Sequence, residues 1–162
     1  MKSVAIRLGL ALSLTLLPTL ASNAGTDTAT LGVSATVVLN CKINVGTLTF
    51  ANYTSGQTAP VDAVGNLAYN GCQNAALTVE LNAGGNSLTS SRGMSNSAGA
   101  TLRYQLYRES ARSSAAGTGT SAITLVAPAG GSGTVPIYGR ILGGQTVAPG
   151  TYSDTVGVTM TF

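Results

Sequence analysis

Short runs of alternating apolar and polar residues, cut apart by clusters of Gly, Asn, Ser and Pro, constrain this chain more than any other feature. In "ALTVEL", Leu77, Val79 and Leu81 share one side; in "LRYQLYR", Leu102, Tyr104 and Leu106 do. An extended chain sets successive side chains on opposite faces, so each run reads as a strand with one buried face. The breakers are dense: "NAGGN" at 82–86, "GTGT" at 117–120, "PAGGSG" at 128–133 and "LGGQTVAPG" at 142–150. The predicted strands are 43–50, 66–70, 75–81, 101–108, 122–126, 134–141 and 152–162. Seven short strands in one domain predict an all-β fold, an immunoglobulin-like antiparallel β-sandwich. "ESARSSAAG" (109–117) is the one candidate for a helical turn, and 82–100 reads as a long loop inside the domain.

The chain opens like an export signal. Lys2 and Arg7 precede the apolar run "LGLALSLTLL", Pro18 breaks it, and "SNA" ending at Ala24 offers small residues for cleavage, with Ala21 a second possible site. The run is too short to span a bilayer, which takes about 20 residues. The expected division is therefore a signal peptide at 1–24, then an exported, non-membrane-spanning chain. Lys2 and Arg7 supply two of the eight cations; without them six face five acidic residues, so the basic pI does not point to nucleic acid. Charged residues make up 8% of the chain against about 25% in ordinary globular proteins. Thr, Ser, Asn and Gly must supply most of the polar surface, and such weak repulsion suits a protein bound for an assembly. In an oxidising compartment the two cysteines, Cys41 and Cys72, are expected to form a disulfide.

No catalytic constellation emerges. The chain has no His, the usual general base and commonest metal ligand. Its acidic residues are scattered, and no serine lies in a GxSxG or SxxK context. "GGSGTV" lacks the Lys-Ser/Thr ending of a phosphate loop and suits a turn. The expectation is no enzyme, no cofactor and no metal. Asn52-Tyr53-Thr54 matches an N-glycosylation tripeptide that arises often by chance. Six tyrosines offer a sugar platform, but Tyr104 shares a strand face with leucines and reads as core.

Two stretches raise a different question. In "TATLGVSATVVLNC" (28–41), Ala29, Leu31, Val33, Ala35, Val37 and Leu39 fall on one side. A hairpin back onto its own sheet needs a turn signal, yet no Gly or Pro stands between Val33 and Val45. A disordered tail would leave six apolar residues in water. A first strand of the chain's own sheet and a strand kept for another molecule both remain open on alternation alone. At the far end, "YSDTVGVTMTF" sets Tyr152, Val156, Val158, Met160 and Phe162 on one parity. This reads either as a core strand or as one side of a groove that needs a further strand.

"LRYQLYRESARS" (102–113), "VPIYGRI" (135–141) and "APGTYSDTVGVTMTF" (148–162) resemble the signature blocks of the spore-coat-protein-U domain family, which includes the subunits of archaic chaperone–usher pili. "NVGTLTF" after Cys41 and "GNLAYNGC" leading into Cys72 match its two-cysteine framework. One departure is "SSAAGTGT", where relatives often carry Trp-Gly. The resemblance implies a sandwich lacking one strand, completed by donor-strand complementation. A periplasmic chaperone fills the groove first; the N-terminal segment of another pilin subunit then replaces it at the outer-membrane usher. It places the donor segment at 25–40, with Ala29, Leu31, Val33, Ala35, Val37 and Leu39 as its inserted residues. It places the pilin domain at 41–162, with Tyr152, Val156, Val158, Met160 and Phe162 as groove wall and chaperone-recognition residues. The destination it implies is a surface fimbrium acting in attachment and biofilm formation.

The energetics agree with that implication. Burying Leu31, Val33, Val37 and Leu39 at roughly 1.5–3 kcal/mol each gives about 6–12 kcal/mol gross, comparable to the stability of a whole domain. Donor and groove are different surfaces of one chain, so the contact need not close and generates filaments. Two rivals keep other destinations: a secreted spore-coat protein of the same fold, and a monomeric secreted glycan-binding module. The second requires a complete sandwich, with 28–40 paired within its own chain.

Overall fold

The computed structural model describes residues 24–162 apart from 87, 89 and 90, so the expected signal peptide lies outside the described residues except for Ala24. The chain divides into two units, 1–36 and 37–162. In the first, residues 24–36 are all exposed and none is in a strand.

Among the described residues the second unit holds eight strands: β1 (Lys42–Val45), β2 (Val61–Asn70), β3 (Ala76–Leu81), β4 (Arg92–Ser95), β5 (Thr101–Tyr107), β6 (Ile123–Val126), β7 (Gly133–Ile141) and β8 (Val158–Thr161). They form a five-stranded sheet, β1-β2-β7-β5-β4, and a three-stranded sheet, β6-β3-β8. Every pairing is antiparallel. Alternation decides which side chains enter the core: Leu67 and Tyr69 from β2, Leu77, Val79 and Leu81 from β3, Leu102, Tyr104 and Leu106 from β5, Val135, Ile137 and Ile141 from β7. The all-β, two-sheet expectation holds. A disulfide joins Cys41 to Cys72 with their Cα atoms 4.5 Å apart, pinning the start of β1 beside the end of β2.

Several predicted elements change. The strand expected at 43–50 pairs only as far as Val45. Gly46 N donates to Asn66 O at 3.2 Å, and the chain then leaves the edge of β2. It crosses over the five-stranded sheet where two glycines make room. A Cβ on Gly65 would lie 3.0 Å from Leu48 Cβ, and one on Gly139 would lie 2.7 Å from Phe50 Cζ. Gly65 is therefore no strand breaker, and β2 starts at Val61 instead of 66. The loop expected over 82–100 contains β4, whose Arg92 and Gly93 are both buried. The terminal strand expected over 152–162 is laddered only over Val158–Thr161, opposite β3. No strand runs through 28–41. The stretch 109–117 makes a turn, with Arg112 N donating to Glu109 O, and the helical piece among the described residues is a 3₁₀ turn at Gly119–Ser121.

Candidate functional site

A cleft of about 1020 Å³ opens in the second unit. A closed protein core tolerates few voids larger than a water molecule, so this sandwich is unfilled on one side. The inner face of the five-stranded sheet supplies part of its lining through Leu67, Leu102, Tyr104, Leu106, Ile137 and Ile141. The rest comes mainly from two stretches outside the ladders, 46–53 and 147–156, together with Val45 and Val158.

Both stretches alternate. Leu48 and Phe50 on one, and Tyr152, Val156 and Val158 on the other, are half-buried while their immediate neighbours are exposed. Facing a complete core such residues would be fully covered, as Leu77 and Val79 of β3 are at 1% and 0% exposure. The backbone tells the same story. Residues 47–52 make no backbone hydrogen bond to any described residue. β8 ends the order of its sheet, so among the described residues its second edge is unpaired. Unpaired strand edges beside an apolar trough make a template for another strand.

The cleft has one tied end. Tyr53 Oη accepts from Gln145 N at 2.8 Å, Gly56 N donates to Gln145 O at 2.8 Å, and Val147 N donates to Ser55 Oγ at 2.9 Å. Farther along 147–156, Tyr104 Oη donates to Asp154 Oδ2 at 2.7 Å, and Gly85 N donates to Asp154 Oδ1 at 2.9 Å. Burial, and then that bond to the carboxylate, push the Tyr104 hydroxyl well above its usual range. It therefore stays a proton donor to Asp154. Ser153 exchanges two backbone bonds with Ser95 of β4. The stretch 147–156 is thus held to the five-stranded sheet without closing the cleft.

The groove residues expected from sequence divide. Tyr152, Val156 and Val158 line the cleft. Met160 is half-buried in β8 opposite Val79, and Phe162 lies past the strand end at 54% exposure. Of the expected donor residues, Leu31 is 88%, Val33 86%, Val37 93% and Leu39 43% exposed, with Ala29 and Ala35 also exposed. The sequence reading missed Leu48, Phe50 and Tyr53 as cleft residues. The signal for Leu48 and Phe50, the alternation in "TLTF", fits an ordinary ladder strand equally well, and Tyr53 falls outside that alternation. Among the described residues no group of three or more His, Cys, Asp or Glu side chains gathers as a metal site. No helix among them is long and apolar enough to cross a membrane.

The family model for the Spore Coat Protein U domain matches residues 27–159. Among curated proteins none matches. Of solved structures, the chain is similar to one in the CsuC–CsuE chaperone–tip adhesion subunit pre-assembly complex from the archaic chaperone-usher Csu pili of Acinetobacter baumannii, at 22% identity and a TM-score of 0.57. The similarity covers 78% of this chain and 41% of that one, so the present chain spans less than half of its neighbour's length.

Proposed function

The chain belongs to the Spore Coat Protein U domain family, and from that premise we propose that it is a structural subunit of an archaic chaperone–usher pilus, polymerising by strand exchange. In this reading residues 1–24 are the export signal, 25–40 the donor segment, and 41–162 the acceptor domain. A periplasmic chaperone occupies the cleft first. Residues 25–40 of another subunit displace it at an outer-membrane usher, and the fibre acts on the cell surface in attachment and biofilm formation.

One observation carries the proposal: a half-empty apolar cleft with unpaired edges in a chain whose segment 29–39 alternates and lies exposed. Each supplies what the other lacks. An inserted strand gains ladder bonds along its backbone, and its alternate side chains fill the trough. The same exposed edges are an aggregation hazard, which gives a chaperone its physical task. The similarity to a chain from a chaperone–subunit complex supports this choice of partner.

The test removes residues 25–40 and returns them as a synthetic peptide. We expect the mature chain to form fibres that heat dissociates. We expect the truncated domain to form none, and the peptide to raise its melting temperature. A truncated domain of unchanged stability that ignores the peptide sinks the proposal.

A further inference from the structure

The alternation of 29–39 leaves one problem unsolved. Sliding the strand by two residues keeps every apolar side chain on the same face, so the pattern alone does not fix its register. We propose that Tyr53 and Gln145 are positioning residues that supply the missing stop, setting the register of residues 29–39 of a second copy in the cleft; the inference rests on the strand-exchange reading above.

The stop is built from backbone groups that are already spent. Along 47–52 the first edge is unpaired among the described residues. From Tyr53 onward the chain is knitted to 144–147. Tyr53 Oη accepts from Gln145 N, Gly56 N donates to Gln145 O, and Gly144 N donates to Gln57 O at 2.6 Å. Val147 N is taken by Ser55 Oγ. A strand zipping along the cleft therefore runs out of partners where this clamp begins.

Gln145 also anchors the clamp to the five-stranded sheet. Its Oε1 accepts from Arg103 N at 2.7 Å, and its Nε2 donates to Arg103 O at 2.9 Å and Leu142 O at 2.7 Å. These bonds tie it to the first part of β5 and to the residue after β7. At the other end Gly46 peels away from β2, and among the described residues β8 keeps its outer edge unpaired and no equivalent cross-link joins the two walls.

The experiment refolds the full mature chain in excess labelled peptide and follows peptide dissociation by fluorescence anisotropy. Three peptides are compared: 28–40, 28–40 with Thr–Val added before Thr28, and 28–40 with Val–Thr added after Asn40, so that each addition continues the alternation. With the clamp intact, one lengthened peptide should dissociate about tenfold more slowly, the worth of one further buried valine. The other, which meets the stop, should gain nothing. In Gln145→Ala and in Tyr53→Phe both lengthened peptides should gain. Tyr53→Phe removes only a hydroxyl, so it keeps the test open if Gln145→Ala does not fold. Equal gains at both ends of the unaltered chain overturn the proposal, as does an asymmetry that survives both substitutions. Failure of all three peptides to be retained sinks the strand-exchange reading itself.

Discussion

Arg92 carries a guanidinium into the core at 6% exposure, and no carboxylate contacts it. It donates instead to the carbonyls of Leu81, Asn82 and Ala116 and to Gln105 Oε1. Desolvation pulls its pKa down, partly offset by Tyr104 and Asp154, from a starting point so high that it stays charged under ordinary conditions. Removing it strands several buried acceptors at once. Arg92→Met should therefore cost about 3 kcal/mol or more in urea unfolding, although its hydrophobic volume is well matched. Asp62 shows the opposite case, a surface contact. Arg140 donates to both of its oxygens, at 2.7 and 2.8 Å, and Arg112 stands 3.4 Å away. The Arg140 hydrogen bonds hold its pKa below the usual carboxylate value against a smaller desolvation effect, with the Arg112 and Arg140 charges adding to them. A depressed folded pKa gives stability that is present above the unfolded value near 3.9 and lost as pH falls through the folded one. Asp62 is 37% exposed, so solvent screening limits the gain to less than about 1 kcal/mol. Asp62→Asn should lower stability slightly at pH 6, and the gap from the parent chain should close as pH falls below about 4.

At the scale of elements, the crossing of 46–50 over the five-stranded sheet depends on glycine. Gly65→Val should push Leu48 away from β2, destabilising the domain by about 1–3 kcal/mol through overpacking. A melting temperature unchanged by that substitution would show that the crossing is loose. This crossing also explains what the sequence concealed. Strands whose alternation meets a full ladder, β3, β5 and β7, were legible because Leu, Val and Tyr mark their inward faces. β2 was read five residues short because Gly65 looks like punctuation, whereas its missing side chain is what seats Leu48. β4 was invisible because its buried residues are Arg92 and Gly93, which carry no hydrophobic period. The wall of the cleft from Tyr152 was legible as an alternating stretch. That it is laddered only from Val158 was not, because a ladder depends on where β3 runs and not on the pattern itself. Gln145, a polar residue in a Gly-rich loop, gives no signal; its importance comes from six hydrogen bonds, one to nearby Leu142 and five to Tyr53, Gly56 and Arg103, which only the folded chain brings together.

For the whole molecule, separate donor and acceptor surfaces on one chain lead to a complementation test that single defects cannot imitate. Leu31→Asp with Val37→Asp places two carboxylates where the donor must be buried and leaves the cleft untouched. Val156→Asp places one in the cleft and leaves the donor untouched. A lone ionised carboxylate in an apolar site costs several kcal/mol, enough to cancel much of the gross gain from inserting the strand. Each variant alone should remain short of fibres by electron microscopy. Mixed, they should form a complex of one copy of each, because the intact donor of one meets the intact cleft of the other and the chain then has no way to extend. Light scattering should report that stoichiometry, and adding the unaltered chain should not lengthen the complex, because both of its free surfaces carry an inactivating carboxylate. Fibres from either variant alone would show that another contact drives assembly. A mixture that stays monomeric while both variants keep their far-ultraviolet circular dichroism would show that 28–40 and the cleft are not partners.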